Sequence, residues 1–281
     1  MINSISSASE YRPKSFNDMI GQDAIVKTLN NAIKNDNIPQ ALLFCGPRGV
    51  GKTSCARILA KTINNLEDDF EYNIFELDAA SNNSVEDIRN ITDQIRIPPQ
   101  TGRYKVYIID EVHMLSNQAF NAFLKSLEEP PEHVVFILAT TEKNKILPTI
   151  LSRCQIYDFK KVDNESIIKL LSKICKEKKV KYEDGSLSLI AERSDGSIRD
   201  SLSIFDRLVS FTDSNLTISE VTSNLNVLDF NTYFKISELI NKKDIPGILN
   251  LYNEVYIKGF DDLSFLNGLS KHLRELLIYS L

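Results

Sequence analysis

The feature that most constrains this chain is a glycine-rich octapeptide between an apolar run and an amphipathic stretch. The octapeptide fits G-x-x-x-x-G-K-[ST], the run before it is Ala41–Cys45, and residues 54–63 have helical periodicity. In such a strand–loop–helix context, backbone N–H groups and the helix N-terminus bind phosphate oxygens. Lys52 is placed to reach the β- and γ-phosphates, and the Thr53 hydroxyl to bind Mg²⁺. The sequence therefore predicts a site for a nucleoside triphosphate and Mg²⁺. The predicted phosphate-binding residues are Gly46, Pro47, Arg48, Gly49, Val50, Gly51, Lys52, Thr53 and Ser54.

A second apolar run, residues 106–109, ends in the acidic pair Asp110-Glu111. A run that is apolar throughout is typical of a strand buried on both faces. In P-loop ATPases a carboxylate at the end of such a strand holds the Mg²⁺, and we assign this role to Asp110. The adjacent carboxylate of Glu111 would polarise the attacking water as a general base. An acidic pair at a strand end is also a common solvated turn, but the intact phosphate loop upstream favours the catalytic interpretation.

A third apolar run, residues 134–139, is followed by Thr140-Thr141. Open α/β sheets bind their ligands at the carboxyl ends of the strands. A threonine hydroxyl at that edge could therefore bind the γ-phosphate or the attacking water. It could equally well cap its own loop, and the spacing leaves both interpretations open.

Composition excludes several other classes of protein. The 281 residues are 42% hydrophobic and 25% charged, which is ordinary for a soluble globular chain. No apolar stretch is long enough to span a membrane, and the first twelve residues lack the apolar region of a signal peptide. The four cysteines have no C-x-x-C spacing, so we expect reduced thiols, a cytoplasmic protein and no zinc site. The net charge of −5 means that any contact with DNA depends on local groups and backbone amides.

The order of the apolar runs predicts an α/β fold with a parallel five-stranded sheet. Strands are expected near residues 41–45, 74–78, 106–109, 134–139 and 154–159, alternating with helices that cover both faces. After about residue 161 the periodicity is helical throughout, and the polar stretch 212–215 marks a boundary. We therefore predict an ATPase domain at 1–160, a small helical domain at 161–214 and a further helical domain at 215–281.

With these elements placed, the chain resembles the gamma/tau family of bacterial clamp-loader ATPases, which belong to the AAA+ class. The resemblance covers nearly the whole sequence, and the Ser-Arg-Cys tripeptide separates clamp loaders from other AAA+ ATPases. The motifs that carry it are Tyr11-Arg12-Pro13, Ile20-Gly21-Gln22, residues 46–53, 76–81, 109–115 and 127–133, and Ser152-Arg153-Cys154.

The resemblance implies roles that spacing does not. Thr141 falls at the sensor-one position and Arg199 at the sensor-two position of the lid. Arg153 corresponds to the arginine finger, whose permanent charge stabilises the transferred phosphoryl group in the neighbouring subunit. The segment expected to contact adenine consists of Tyr11, Arg12, Pro13, Ile20 and Gly21. The family further implies ATP and Mg²⁺ as cofactors, a pentameric ring of clamp-loader subunits, the sliding clamp and primer–template DNA.

Three departures from the family pattern stand out. The four zinc-binding cysteines that relatives carry after the phosphate-loop helix are absent from the shortened stretch 64–70, so no zinc is expected. Asn82, Asn83 and Ser84 occupy a helix start where relatives often place basic residues facing DNA, which predicts weaker and less salt-dependent DNA binding. Only the first part of the helical collar that assembles the ring is expected in 215–281, which leaves pentamer formation and contact with the polymerase core open.

Two other functions are compatible with parts of the sequence. A different AAA+ DNA motor, such as a branch-migration helicase, is disfavoured by Ser152-Arg153-Cys154 and by the lack of pore-loop signatures. A non-hydrolysing scaffold subunit is disfavoured because Lys52 and Glu111 are intact. The holoenzyme is classed as a nucleotidyltransferase, but the chain shows no polymerase active site of its own.

Overall fold

The computed structural model describes residues 6–65, 73–99, 102–225, 230–257, 260 and 262–279. The chain divides into two compact units. The first consists of residues 1–174 and 194–206, and the second of residues 175–193 and 207–281. The division into three domains at residues 160 and 214 remains a prediction.

The first unit contains the predicted parallel sheet, which has five strands in the order β2-β3-β4-β1-β5. The strands are β1 (Ala41–Cys45), β2 (Ile74–Asp78), β3 (Lys105–Asp110), β4 (Val134–Thr140) and β5 (Gln155–Asp158). Every residue of β1 and β4 is buried, which explains why these strands are apolar throughout. In the register, Cys45 lies opposite Thr140 and Asp78 opposite Asp110. The loops after β1, β3 and β4 therefore leave the sheet at the same edge.

Helices cover both faces of this sheet because alternate strand residues point to opposite sides. On one face, Leu42 and Phe44 pack with buried residues of α3, including Leu59. On the other face, Leu43 packs with α5, whose Phe123 meets Phe136 edge to face. The helices that lie wholly within the first unit are α1 (Ser7–Glu10), α2 (Asp23–Lys34), α3 (Lys52–Asn64), α4 (Val85–Ile95), α5 (Asn117–Glu128) and α6 (Pro148–Leu151). Short 3₁₀ helices lie at Phe16–Asp18, Val112–Met114 and Lys143–Lys145.

Two helices continue from the first unit into the second, namely α7 (Asn164–Lys178) and α9 (Ile198–Phe211). The second unit also contains α8 (Asp184–Arg193), α10 (Ile218–Asn224), α11 (Phe230–Lys242), α12 (Ile245–Ile257) and α13 (Asp262–Tyr279). The last three helices share a small core of Tyr233, Ile236, Val255 and Phe265. None of the helices in the described part of the chain is long and apolar enough to cross a membrane.

The expectation of helix throughout residues after 161 is wrong at two short places. The strands β6 (Lys181–Tyr182) and β7 (Asn215–Leu216) form a two-stranded parallel sheet in the second unit. Each strand has two residues, which is too short to show alternation, so no sequence pattern could indicate it. β7 also includes Asn215, the last residue of the polar stretch that we interpreted as a boundary.

The stretch 64–70, in which we expect no zinc site, is described only in part. Residues 66–72 lie outside the described residues. At the near end of the stretch, the Asn64 side-chain oxygen accepts hydrogen bonds from the backbone N–H groups of Arg103 (3.1 Å) and Tyr104 (2.7 Å). This amide thus ties the end of α3 to the chain entering β3.

Candidate ATP-binding site

A cavity of about 340 Å³ in the first unit brings together most of the predicted nucleotide-binding residues. The site residues predicted from the sequence that line this cavity are Tyr11, Arg12, Pro13, Ile20, Arg48, Gly49, Val50, Gly51, Lys52, Thr53, Ser54, Asp110, Glu111 and Arg199. Five predicted site residues do not line it: Gly21, Gly46, Pro47, Thr141 and Arg153. The size and the mixture of apolar and charged walls are those of a small-molecule site.

Gly46 opens the phosphate loop and fixes its path. Its φ of 146° lies in the region that favours glycine, and its N–H donates to the Thr140 carbonyl at 3.2 Å. A Cβ at this position would lie 2.4 Å from the backbone oxygen of Phe159. Only glycine therefore lets the loop leave β1 in this direction, so Gly46 acts by shaping the loop.

Lys52 is buried at the start of α3, with 6% of its surface exposed. Its Nζ donates to the carbonyls of Gly46 and Pro47, each at 2.8 Å. Burial lowers the pKa of the Lys52 ammonium, while the carboxylates of Glu111 and Asp110 act in the opposite direction. The loop thus holds a desolvated cation inside the cavity, where it can meet the negative charge of a triphosphate.

The side chains of Thr53 and Asp110 meet on the floor of the cavity. The Thr53 hydroxyl donates to Asp110 Oδ2 at 2.7 Å, and the Glu111 N–H donates to Asp110 Oδ1 at 3.0 Å. A hydroxyl and a carboxylate are the hard oxygen ligands that Mg²⁺ prefers. These two residues therefore fit the Mg²⁺ that accompanies a bound nucleotide in P-loop ATPases. In the described part of the chain, no three or more His, Cys, Asp or Glu residues form a group suited to a metal ion.

Glu111 has a left-handed backbone, with φ 47° and ψ 45°. Its Oε2 accepts hydrogen bonds from the Thr141 N–H (3.2 Å) and the Thr141 hydroxyl (2.9 Å). The Thr140 hydroxyl accepts from the Glu142 N–H at 3.0 Å, so Thr140 is the residue that caps the loop. Thr141 itself contacts Glu111 and does not line the cavity.

The first turn of α9 contacts the phosphate loop directly. The Gly49 carbonyl accepts hydrogen bonds from the N–H groups of Ile198 (3.1 Å) and Arg199 (3.4 Å). Gly49 has φ 74°, and a Cβ there would lie 2.0 Å from Ser197 Oγ, so the approach requires glycine. The salt bridge from Arg48 to Asp200 is long, at 3.8 Å, and Arg48 is 72% exposed. Arg199 is thus placed on the wall of the cavity by backbone contacts rather than by an ion pair.

The N-terminal segment closes another side of the cavity. Arg12 Nε donates to Ser54 Oγ at 3.2 Å, and burial, aided by Arg57, lowers the pKa of the Arg12 guanidinium. Ser7 is fully buried and donates from its N–H to Asp206 Oδ2 at 2.7 Å and from its hydroxyl to Asp206 Oδ1. Segment 6–13 is therefore held between α3 and α9.

Sequence reasoning missed six lining residues: Ser6, Ala8, Ser9, Met19, Ile198 and Leu202. Leu202 lies three positions after Arg199, so the helical spacing around a predicted site residue could have found it. Ile198 directly precedes Arg199 and starts α9. The others are small or apolar side chains without a chemical signature. Their presence depends on the fold of the N-terminal segment, which no local pattern reports.

Arg153 lies away from this cavity. Its Nη2 pairs with Glu128 Oε1 at 2.8 Å, and its Nη1 donates to the Thr149 carbonyl at 2.7 Å. The side chain is 35% exposed. Gly21, also outside the cavity, has φ 71° next to the Val162 side chain, and Gln22 beside it donates to the Lys160 carbonyl at 2.8 Å.

The predicted DNA-contacting residues lie between β2 and α4. The Asn82 backbone and side-chain N–H groups both donate to the Asp78 carbonyl, at 2.9 Å and 3.1 Å. Asn83 is exposed, and α4 begins one residue after Ser84. This segment therefore presents one exposed amide side chain and no cation.

The four thiols lie mainly in the interior. Cys45, Cys55 and Cys175 are buried and Cys154 is half-buried. Burial raises the pKa of Cys45 to about 11 and that of Cys55 to about 12. Thiols with such pKa values stay protonated near neutral pH and react slowly.

Comparison with known proteins places the chain in a family. A family model described as DNA polymerase III, delta subunit, matches residues 21–74 and 71–163, and a model of the clamp-loader ATPase lid domain matches residues 166–214. The gamma subunit of Buchnera aphidicola subsp. Baizongia pistaciae is 39% identical over 86% of this chain and 70% of that protein. The chain belongs to the DNA polymerase III gamma/tau family. The tau subunits of Bacillus subtilis and Escherichia coli are 40% and 39% identical, over 96% and 90% of this chain.

Relative to such family members the chain is short. It spans about half the length of the curated relatives it matches, 51% of the Bacillus subtilis protein and 42% of the Escherichia coli protein. A solved structure of RuvB from Thermotoga maritima, described as a Holliday junction branch migration motor, aligns with a TM-score of 0.62 over 83% of this chain and 80% of that one. At 22% sequence identity this likeness shows a shared fold alone, that of the AAA+ P-loop ATPases.

Proposed function

We propose that this chain is an ATP-hydrolysing subunit of the DNA polymerase III clamp loader, which places the sliding clamp on primed DNA during replication. The observation that carries the proposal is the complete hydrolytic set around one cavity in a gamma/tau family member. Lys52, Thr53, Asp110 and Glu111 all line that cavity.

The geometry supports a division of labour in hydrolysis. Lys52 and the loop amides bind the triphosphate, and Thr53 with Asp110 binds Mg²⁺. When bound, Mg²⁺ neutralises charge that develops on the β- and γ-phosphates. Glu111 orients and polarises the attacking water, and Thr141 holds the Glu111 carboxylate. Arg199 reports the state of the nucleotide to α9. The N-terminal segment and Ile20, which line the cavity, would bind the adenine, and Gly21 would shape the chain beside them.

We propose that Arg153 acts in trans, on the ATP of a neighbouring subunit in a ring. Its position outside the cavity and its partial exposure support this role. Large exposed apolar side chains on α12 and α13, among them Leu249, Ile257 and Leu266, support association of the second unit with other clamp-loader subunits. Such residues would form part of the collar expected for residues 215–281.

Primer–template DNA and the sliding clamp are the proposed partners of the assembled ring. Asn82, Asn83 and Ser84 would contact phosphates without a cation, so this subunit would contribute little to the salt dependence of DNA binding. Replication takes place in the bacterial cytoplasm, which is the compartment we propose. The nucleotidyltransferase activity would belong to the polymerase core of the holoenzyme and not to this chain.

The two other functions considered from the sequence have less support. The branch-migration motor that shares the fold is only 22% identical in sequence to this chain. Proteins that are about 40% identical to this chain are DNA polymerase III subunits. A non-hydrolysing scaffold has no need for the contacts that hold Glu111, which the structure retains.

The proposal is tested by ATP turnover of the chain reconstituted with its partner subunits, with and without the sliding clamp and primed DNA. We expect clamp and primed DNA to stimulate hydrolysis together, and the Glu111→Gln variant to lack the stimulated rate. A rate of ATP hydrolysis that neither the sliding clamp nor primed DNA changes would contradict a clamp-loading function. Equal turnover by Glu111→Gln would contradict the assignment of the general base.

A further inference from the structure

His113 is a buried histidine beside the site that has no role in the hydrolysis described above. It lies in the 3₁₀ helix Val112–Met114, directly after the acidic pair, and its side chain is 6% exposed. Nδ1 lies 3.0 Å from the Thr140 hydroxyl and 3.4 Å from Glu111 Oε2, while Nε2 lies 3.4 Å from Glu142 Oε1. One imidazole thus connects the turn after β3 with the end of β4.

The turn after β3 needs such a connection because of its backbone. Glu111 is a non-glycine residue in the left-handed region, a conformation that persists only where surrounding contacts enforce it. Within the turn, the Met114 N–H donates to the Glu111 carbonyl at 2.8 Å. This bond closes the turn, and the buried Val112 side chain packs it against the apolar core of the sheet. Neither contact is a polar link to the residues that follow β4.

The contact between His113 and Thr140 adds a polar link between the turn and the end of β4. Thr140 is the fully buried last residue of β4 and precedes Thr141, whose N–H and hydroxyl bind the Glu111 carboxylate. Glu111 and Thr141 can keep their two hydrogen bonds only while the turn and the strand end stay in register. His113 is bonded to the residue before Thr141 and lies two residues after Glu111, so it spans the same two segments.

We propose that His113 is a positioning residue for Glu111, acting through the Thr140 hydroxyl. It does not line the cavity, so it contacts neither nucleotide nor Mg²⁺. Its loss lets the turn shift, which moves the Glu111 carboxylate relative to the attacking water. The inference rests on the proposed role of Glu111 in hydrolysis.

The test compares three substitutions of His113 in the reconstituted clamp loader. Asparagine places a polar group near the position of Nδ1, glutamine places one near Nε2, and phenylalanine retains a ring without either. We expect His113→Phe and His113→Gln to lower the stimulated kcat by about 10- to 100-fold, because a displacement of about 1 Å is enough for such a loss. His113→Asn should retain most of the rate. Affinity for ATP, measured by calorimetry, should stay within threefold of wild type in all three.

Substitution of Thr140, the hydrogen-bond partner of His113, gives a second test of the same contact. Thr140→Val removes the hydroxyl at constant shape and should lose kcat as His113→Phe does, whereas Thr140→Ser keeps the hydroxyl and should keep the rate. Thr140→Val also removes the bond that the Thr140 hydroxyl accepts from the Glu142 N–H, so it is the more disruptive of the two single variants. The double variant His113→Phe/Thr140→Val should therefore be no slower than Thr140→Val alone, because the contact that His113→Phe removes is already lost there. If His113→Phe fails to fold, the Thr140→Val and Thr140→Ser pair decides the question.

A matched control removes an imidazole elsewhere in the same unit. His133 Nε2 lies 3.1 Å from the Ile95 carbonyl, away from the cavity, and His133→Asn should turn over at the wild-type rate. Wild-type kcat in both His113→Phe and Thr140→Val would overturn the inference. So would a loss of ATP affinity equal to the loss of kcat, which would mark a general structural role. If Glu111→Gln hydrolyses ATP at the wild-type rate, the proposed role of Glu111 is wrong. This outcome differs from failure of the His113 inference, in which Glu111→Gln is inactive while His113→Phe and Thr140→Val remain active.

Discussion

Truncation of Lys52 should separate nucleotide binding from folding. The ammonium of Lys52 is the buried cation of the phosphate loop, and it donates to the carbonyls of Gly46 and Pro47 at 2.8 Å each. Lys52→Ala removes this cation and leaves the backbone of the loop in place.

The loss of affinity follows from the electrostatics of the cavity. Two unit charges about 4 Å apart attract each other by about 4 kcal/mol at an effective dielectric constant of about 20. Lys52 is already buried in the free protein, with 6% of its surface exposed, so little further desolvation of the ammonium accompanies ATP binding. We therefore expect Lys52→Ala to weaken Mg·ATP binding by about 3–4 kcal/mol, which is about 10²- to 10³-fold in Kd.

The stability of the free protein should change far less. The two carbonyls belong to partly exposed loop residues and can accept hydrogen bonds from water after the truncation. Removal of the ammonium also removes the cost of burying it. We expect the free energy of unfolding to change by no more than about 1 kcal/mol, the net size of an ordinary hydrogen bond.

Calorimetric titration with Mg·ATP and urea unfolding of the nucleotide-free protein measure the two quantities. Lys27→Ala, which removes an exposed lysine of α2, is the matched control and should match wild type in both. An affinity of Lys52→Ala within threefold of wild type would refute the assignment of Lys52. A loss of cooperative unfolding would refute the separation of binding from folding.

Four further outcomes are expected. Asp110→Asn should weaken Mg·ATP binding in calorimetry, whereas Glu111→Gln should bind normally and stop hydrolysis; the reverse pattern would exchange their roles. Arg153→Ala should keep its ATP affinity and lose on the order of 10³-fold in stimulated turnover. Mixing this variant with Glu111→Gln should recover some activity, because an interface between the two can combine an intact Glu111 with an intact Arg153. A mixture that assembles and stays inactive would contradict action in trans. Metal analysis of the purified protein should find no stoichiometric zinc, and one zinc per chain would show that distant cysteines had been misinterpreted. Gly46→Ala should lower the free energy of unfolding, measured in urea, by about 2–4 kcal/mol, because the alanine Cβ would lie 2.4 Å from the Phe159 carbonyl oxygen. An unchanged urea midpoint would contradict the close approach of Gly46 to Phe159.

The sheet and the centre of the cavity could be predicted because their signals are local. β1, β3 and β4 are buried on both faces and therefore read as continuous apolar runs. Parallel strands bring the residues after their carboxyl ends to one edge, so Lys52, Asp110 and Glu111 could be expected near one another. Helix capping is a local signal of the same kind: the Ser116 hydroxyl accepts from the Ala119 N–H at 3.2 Å at the start of α5.

The rest of the site depends on contacts between distant segments, which one sequence does not encode in any local pattern. The bond between Ser7 and Asp206 joins residues almost two hundred positions apart. The approach of Gly49 to the first turn of α9 is another such contact. Thr141 illustrates the same limit, since its position at a strand end left two roles open and the structure shows a third, a bond to Glu111. Strands of two residues, as at Lys181–Tyr182, form only because tertiary packing brings them together.

The left-handed backbone of Glu111 has an evolutionary consequence. Glycine, and to a smaller degree asparagine, adopts this conformation at a cost that is lower by about 1–2 kcal/mol than that of other residues. The bonds from Thr141 offset part of this difference only while a carboxylate is present. If Glu111 activates the attacking water as proposed, selection for ATP turnover would keep glutamate at this position. In a descendant that no longer needed turnover, position 111 should be among the first to drift towards glycine or asparagine, and its identity would record that loss.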